Sequence, residues 1–151
     1  MNSFLVISLA VVALVGGIQA VNIKDCGSID GTVVSTKVNG CSDSDERCVF
    51  HAGTDAGITV KFDSRVDSSK ATTKLWGVIA DVPIPFPAIH PDACKDGGVH
   101  CPITKGSHQE LNVQMKVEQS YPKVELVVRV GLEDSDGKLV LCQEIPAVIK
   151  A

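Results

Sequence analysis

Hydrophobic and polar residues alternate along most of this chain with a period of two. The segment LNVQMKVEQ at 111–119 places leucine, valine and methionine on one face and asparagine, glutamine, lysine and glutamate on the other, and KVELVVRVGL at 123–132 and ITVKF at 58–62 repeat the pattern. This spacing is typical of a β-strand with one face on a core and the other in water. Further β-rich runs lie at 31–38, 72–82 and 138–149.

Turn signals separate these runs, as at Asp136-Gly137, which is a favoured hairpin connection. No run has the spacing of an amphipathic helix, and the sequence shows no internal repeat or second domain. About seven short strands without helices between them predict an all-β fold, an antiparallel sandwich of two sheets.

A proline-rich segment interrupts the alternation. In PIPFPA at 83–88, three prolines alternate with apolar residues. Proline fixes its own φ and lacks a backbone donor, so this run predicts neither a helix nor a central strand, but an edge strand or a polyproline-like connector. Ile84 and Phe86 then point to the same side of a stiff strip, where they either cover a core or line an opening.

The first twenty residues differ from the rest. Residues 1–20 contain no charged side chain and hold a continuous apolar run from Phe4 to Val15. They predict a secretory signal peptide that is removed from a mature domain at 21–151. A permanent membrane anchor is the alternative, but the apolar run is shorter than the about 18 residues that span a bilayer. The formal net charge of −4 belongs to the mature domain, whose lysines and arginines are scattered singly, which argues against nucleic acid as a partner.

All cysteines lie in the predicted mature domain, and an even number behind a signal peptide predicts a disulfide framework. The second and third cysteines, like the fourth and fifth, enclose six residues of loop composition, which favours two local bridges and leaves the first cysteine to pair with the last. Zinc sites usually have only two to four residues between paired ligands, so a metal site is a poorer interpretation. The cysteines are Cys26, Cys41, Cys48, Cys94, Cys101 and Cys142.

Aromatic residues are scarce for filling a sandwich interior. The mature chain holds Phe50, Phe62, Trp76, Phe86 and Tyr121. If the sheets stand further apart than the about 10 Å of ordinary packing, aliphatic side chains would leave an apolar cavity that holds an apolar guest rather than water. An ordinary closed core is the alternative.

Four segments resemble the Niemann-Pick type C2 branch of the ML lipid-recognition family: KDCGS at 24–28, the segment 77–106, SYPKVELVV at 120–128 and CQEIPAVI at 142–149. The similarity covers nearly the whole mature domain, and all the cysteines fall where that branch has them. It implies a secreted immunoglobulin-like sandwich whose two sheets part to hold one lipid. The implied bridges are Cys26 with Cys142, Cys41 with Cys48, and Cys94 with Cys101.

The resemblance also implies a binding site. Phe86, Val117 and Tyr121 match the entrance of the family's pocket, and the strand alternation extends the set inward, although each residue would also suit a plain core. The predicted ligand-binding residues are Val38, Phe50, Ile58, Val60, Leu75, Ile79, Ile84, Phe86, Met115, Val117, Tyr121, Val128, Val130, Gln143 and Ile145.

Departures from the sterol-carrying relatives bear on the ligand and the location. Ala56, Val130 and Gln143 stand where those relatives tend to carry aromatic rings, so we expect a roomier or differently shaped cavity, with Gln143 placing a polar group inside it. A long-chain fatty acid or similar amphiphile is therefore as good a candidate as a sterol. The sequence has no Asn-x-Ser/Thr acceptor for an N-linked glycan, so it offers no standard site for glycan-dependent delivery to the lysosomal lumen. Extracellular fluid is therefore the expected location.

The predicted function is that of a secreted carrier. It binds a single hydrophobic ligand, a fatty acid, a sterol or a similar lipid or semiochemical, between the two sheets and transports or solubilises it. The expected partners are this ligand and, transiently, a membrane receptor or an acceptor membrane. The protein is expected to act as a monomer, without a cofactor or metal.

Two other classes of function compete with a carrier. An enzyme is not expected, because the four histidines lack metal-ligand spacing on a helix, no Gly-x-Ser-x-Gly motif occurs, and the cysteines are committed to bridges. A secreted immune-recognition or adhesion module that acts through its surface is the alternative. Trp76 is relevant to this surface-acting alternative. Its side chain faces outward if Leu75 and Ile79 face inward, and an exposed tryptophan often marks a contact site.

Overall fold

The computed structural model describes residues 21–42 and 44–151, so the predicted signal peptide at 1–20 lies outside the described residues. The described part of the chain forms nine strands and no helix, which confirms the all-β fold; none of it is a helix long and apolar enough to cross a membrane. The strands are β1 (Lys24–Asp25), β2 (Gly31–Val38), β3 (Cys48–His51), β4 (Asp55–Ser64), β5 (Thr72–Ile79), β6 (Val82–Phe86), β7 (His108–Lys116), β8 (Glu125–Glu133) and β9 (Leu139–Lys150).

The strands form two sheets, as the immunoglobulin-like sandwich requires. The larger sheet has the order β1-β9-β8-β5-β6, with β3 also pairing with β9, and the smaller sheet has the order β2-β4-β7. Among the described strands, β3 and β9 are the exception to antiparallel pairing and run parallel, from Cys48 beside Ala147 to His51 beside Lys150. The count exceeds the expected strands because β1 and β3, with two and four residues, are too short to show a clear alternation.

The core lies between the sheets and follows from the alternation. In β4, Ile58, Val60 and Phe62 are buried at every second position, and Leu75 and Val130 meet them from the larger sheet. Each such side chain contributes about 1.5–3 kcal/mol when it leaves water completely. The predicted period of two is therefore the pattern that holds the sheets together.

The proline-rich segment forms β6, which lies at the edge of the larger sheet and pairs with β5, as predicted. An edge strand pairs along one side, so it tolerates prolines that lack a donor. The β5–β6 hairpin turns through Ala80 and Asp81, both with positive φ (49° and 64°), the backbone of a type I′ turn that matches the twist of the strands. This tight turn fixes Ile84 opposite Gly77 and Phe86 opposite Leu75.

The disulfides have the predicted pairing, Cys26–Cys142, Cys41–Cys48 and Cys94–Cys101, and no described cysteine is free. The first bridge joins the residue after β1 to the middle of β9 across a sequence separation of 116 residues. In the chain-entropy model, closing a loop of this length stabilises the fold by on the order of 4–5 kcal/mol.

Candidate ligand-binding site

An apolar cavity of about 290 Å³ lies between the two sheets at one end of the sandwich. β3, β5, β8 and β9 of the larger sheet form one wall, the end of β7 forms the opposite wall, and β6 with the loop after β7 completes the enclosure. The lining residues are Phe50, Gly77, Ile79, Ile84, Pro85, Phe86, Pro87, Met115, Lys116, Val117, Tyr121, Pro122, Leu126, Val128 and Ile149.

Gly77 makes room for the cavity. It sits in β5 between the inward-facing Leu75 and Ile79, so a side chain at this position would point between the sheets. A Cβ atom placed on Gly77 would lie 3.3 Å from Cδ1 of Leu126, which is itself on the cavity wall. The missing side chain therefore leaves space between the sheets, beside Leu126 of β8.

Two elements frame the opening. Ile84 and Phe86 of the proline-rich strand lie on one side, and Val117 and Tyr121 of the loop after β7 lie on the other. The rings of Phe86 and Tyr121 meet edge to face, with centroids 6.3 Å apart and planes at 69°. Edge-to-face packing is a favourable aromatic geometry, so this pair spans the entrance with a weak and reversible contact.

The polar character of the wall is limited. Lys116 is exposed while its neighbours Met115 and Val117 are buried, the alternation that sends a lysine ammonium into water. Burial, and secondly the negative charge of Glu118, raises the pKa of the Tyr121 phenol. Tyr121 is therefore protonated at neutral pH, and its hydroxyl can donate a hydrogen bond at the opening.

The structure brings eight of the predicted residues to the cavity wall: Phe50, Ile79, Ile84, Phe86, Met115, Val117, Tyr121 and Val128. It does not place the other seven there. Six of these are buried core residues, because the two sheets close together beyond the cavity: Val38, Ile58, Val60, Leu75, Val130 and Ile145. Contact with a ligand stays a prediction for all eight wall residues.

Gln143 requires a correction, since it lies away from the cavity although it is only 5% exposed. Its Nε2 donates to Oδ2 of Asp25 and to the carbonyl of Cys142, each at 3.0 Å, and its Oε1 accepts from Oγ1 of Thr36 at 3.2 Å. Burial opposes ionisation of Asp25, but hydrogen bonds from Ser28 and Gln143 and from backbone N–H groups outweigh it and lower the pKa of this carboxyl. Gln143 thus ties β9 to β1 and β2.

Several wall residues escaped the sequence reasoning, among them Gly77, Leu126 and Ile149. The signal that could have found them is the alternation itself. Gly77 shares a face with Ile79, and Leu126 shares a face with Val128. A pattern of apolar residues does not reveal Gly77, because glycine contributes no apolar area, although its small size is what opens the space.

Features outside the cavity bear on the rival functions. Trp76 faces outward as expected but is half-buried, with its ring against Gly131, where an added Cβ would lie 3.1 Å from Cζ3. His108 pairs with Asp63 on the surface, and the hydrogen bond that His108 Nδ1–H donates to this carboxylate raises the pKa of His108. In residues 21–42 and 44–151, no group of three or more His, Cys, Asp or Glu side chains could hold a metal ion.

Comparison with known proteins agrees with the two-sheet geometry. A family model described as the ML domain matches residues 20–149. The chain belongs to the ML domain family. Its curated relatives include "NPC intracellular cholesterol transporter 2 homolog a" of Drosophila melanogaster, 32% identical over 94% of this chain and 96% of the relative. They also include the "Ecdysteroid-regulated 16 kDa protein" of Manduca sexta, 38% identical over 93% and 97% of the two chains.

Solved structures place this ML domain in the same fold. A Niemann-Pick type C2 protein from the Japanese carpenter ant superposes with a TM-score of 0.79 at 32% identity, over 85% of this chain and 99% of that one. Chicken MD-1, solved in complex with lipid IVa, superposes with a TM-score of 0.53 at 15% identity, over 82% and 85%, and this likeness concerns the fold alone. The immunoglobulin-like sandwich and the Niemann-Pick type C2 resemblance are thereby confirmed.

Proposed function

We propose that this protein is a secreted carrier that binds one hydrophobic ligand between its sheets and transports or solubilises it. The observation that carries the proposal is the apolar cavity, whose wall consists mainly of hydrocarbon side chains. Such a space takes an apolar guest in preference to water. The name of the fly relative, an intracellular cholesterol transporter, supports a lipid as the guest.

The proposed ligand is a fatty acid or a similar single-chain amphiphile, with a sterol as the second candidate. The cavity, at about 290 Å³, lies at the lower end of the range of about 300–1,000 Å³ that is usual for ligand sites, which favours a slender chain over a rigid ring system. Burying about 300 Å² of hydrocarbon surface is worth about 7 kcal/mol before the costs of ordering and association. Micromolar binding corresponds to about 8 kcal/mol after these costs, so this apolar area alone falls short of it, and a longer buried chain or polar contacts at the opening must supply the remainder.

The head group of the ligand is proposed to remain at the opening. The inner wall offers hydrocarbon, and Tyr121 with its protonated hydroxyl lies where Val117 and Phe86 frame the entrance. A carboxyl or hydroxyl group there stays in contact with water and keeps its hydrogen bonds, so it avoids the cost of burial without a partner.

The remaining parts of the proposal concern location and partners. Extracellular release follows from the predicted signal peptide at 1–20 and the absence of an Asn-x-Ser/Thr acceptor. We propose a monomer that carries its ligand without a cofactor, without nucleic acid and without catalysis. A receptor or an acceptor membrane is engaged transiently when the ligand is delivered.

Native mass spectrometry of the protein from its own source tests the proposal directly. We expect one lipid per chain, released on collisional activation and identifiable by its mass. A displaceable fluorescent fatty acid should then bind to the delipidated protein with micromolar affinity. Trp76→Ala is a matched control, because this side chain packs on the outer face and its loss should leave lipid content unchanged. A ligand-free protein that also fails to bind fatty acid and sterol probes would refute the carrier function.

A further inference from the structure

The two sides of the cavity opening are held in different ways. On one side, β6 pairs with β5 along five residues and carries prolines that stiffen it. On the other side, residues 117–124 between β7 and β8 belong to no strand, and their far end is held where Ile149 N–H of β9 donates to the carbonyl of Val124 at 3.1 Å. This segment, which we name the entrance loop, carries Val117 and Tyr121. β6 is therefore the stiff side of the opening, and the entrance loop is the side whose backbone can move.

The start of the entrance loop is anchored to the β3–β4 turn. Val117 N–H donates to the carbonyl of Thr54 at 2.9 Å, and Gly53 N–H donates to the carbonyl of Val117 at 2.6 Å. The amide of Gln119 reaches the carbonyl of Ala52 at 3.3 Å. Gly53 has φ +83°, and a Cβ there would lie 2.4 Å from Nε2 of Gln119, so glycine is needed for this approach. These contacts hold the loop as far as Gln119.

One side chain adds to the backbone bonds that hold the rest of the loop, such as the one from Tyr121 N–H to the carbonyl of Glu118 at 3.1 Å. Nζ of Lys123 donates to the carbonyl of Gln119 at 2.6 Å and to the carbonyl of Tyr121 at 2.9 Å. A lysine ammonium has three donors and can bridge two carbonyls at once, and hydrogen bonds from a charged donor are stronger than neutral ones. Lys123 therefore ties the backbone of the gating residue Tyr121 to the anchored part of the loop.

We propose that Lys123 is a positioning residue that latches Tyr121 against Phe86 and sets the rate of ligand exchange. The proposal rests on the proposed carrier function and adds how the cavity opens. Breaking the two Lys123 hydrogen bonds leaves the backbone between Gln119 and Lys123 held less tightly, so Tyr121 moves away from Phe86 more often and the entrance opens more readily. Lys123 acts through the loop backbone and makes no contact with the ligand.

Lys123→Met tests the latch, because methionine keeps an unbranched side chain and removes the donors. Stopped-flow fluorescence of the protein, produced by secretion from the complete gene, gives entry rates when it is mixed with cis-parinaric acid. Displacement of the bound probe by excess oleic acid gives exit rates. We expect both rates to rise about fivefold, equivalent to about 1 kcal/mol in barrier height, while Kd stays within about twofold. Hydrogen exchange at the Tyr121 amide, which is bonded to the carbonyl of Glu118, should quicken even without ligand.

Two further variants distinguish the loss of the Lys123 hydrogen bonds from the loss of one positive charge. Lys138→Met removes the same charge from the β8–β9 hairpin at the far end of the sandwich and should leave both rates unchanged. Lys123→Arg, which keeps a charged donor but presents it in a planar fork, should give rates between those of the wild type and those of Lys123→Met.

The outcomes are distinct. Unchanged exchange rates and unchanged protection of Tyr121 in Lys123→Met would overturn the latch while leaving the carrier function intact. Slower entry and a weaker Kd for cis-parinaric acid, but not for its neutral methyl ester, would overturn it in favour of direct contact between Lys123 and an anionic head group. A wild-type protein that binds neither fatty-acid nor sterol probes would refute the carrier function, and the latch with it.

Discussion

Filling the cavity from Gly77 should weaken ligand binding without weakening the fold. Gly77→Val projects three carbon atoms between the sheets, from a position whose Cβ would lie 3.3 Å from Cδ1 of Leu126. The Leu126 side chain must shift by a few tenths of an ångström to make room for this Cβ. Because Leu126 lines the cavity, its shift reduces the free volume further. The φ of Gly77 is not in the left-handed region, so valine meets no backbone strain.

The size of the effect follows from the volume lost. Three carbon atoms of valine exclude about three methylenes of ligand, and each is worth about 0.8 kcal/mol, so affinity should fall by about 2.4 kcal/mol, or about 50-fold. Gly77→Ala excludes one and should cost about fourfold. Stability should change in the opposite direction, since glycine within a strand is about 0.5–1 kcal/mol worse than alanine.

Titration with a fluorescent fatty acid checks the expected loss of affinity, and thermal unfolding checks the expected gain in stability. Gly131→Ala is the matched control: its Cβ would lie 3.0 Å from Cδ2 of Leu139 and 3.1 Å from Trp76, outside the cavity, so it should lower the Tm and leave affinity unchanged. Wild-type affinity in Gly77→Val, with the protein folded, would mean that the ligand does not occupy this space and would refute the reasoning.

Three further predictions concern the entrance, the disulfides and pH. Tyr121→Ala and Phe86→Ala each remove half of the edge-to-face pair, worth about 0.5–1.5 kcal/mol, so probe exchange in stopped-flow measurements should accelerate several-fold; unchanged rates would mean that the pair does not gate the entrance. Reduction of the disulfides, including Cys26–Cys142, should abolish probe uptake before far-UV circular dichroism loses its β signal, and simultaneous loss would contradict this order. Asp25 has a pKa below its ordinary 3.8 in the folded state, so its stabilisation is present above that pH and is lost as the pH falls through the folded pKa. Tm measured against pH should therefore drop in this acidic range for the wild type and less steeply for Asp25→Asn; equal slopes would show that Asp25 contributes nothing.

The fold was largely predictable because its main determinants are local. A period of two identifies strands, loop-like composition identifies the short bridged loops, and prolines at alternate positions identify an edge strand. β3 was missed as a strand because CVFH offers four residues, too few for a pattern, and its parallel pairing with β9 depends on a chain crossover that local sequence does not specify.

The site was predictable only in part because alternation tells which face is inward, not where the sheets separate. Ile58 and Met115 both face inward, yet only Met115 lines the cavity. Gln143 shows the same limit: it is buried, as expected, but its partners Asp25 and Thr36 come from distant parts of the chain and hold it elsewhere. How far a residue lies from the open end of the sandwich depends on contacts between distant parts of the chain, which local sequence does not specify.

The taper of the core explains why the cavity lies at one end. Along β4 the buried side chains are large at Phe62, Val60 and Ile58 and become small at Ala56, which pairs with Met115 near the end of β7. On β5, Gly77 stands at the same end, whereas large leucines fill the other end of β8 and β9. Close packing requires that facing side chains fill the space between sheets, so the gap opens where the residues become small. The proline-rich strand lies beside this gap and keeps its edge from collapsing inward, because its backbone is fixed by its own prolines rather than by packing. A cavity at one end of the sandwich is thus the result of side-chain size along the strands, and the proposed binding site has a stiff side in β6 and a second side, the entrance loop, where access is proposed to be controlled.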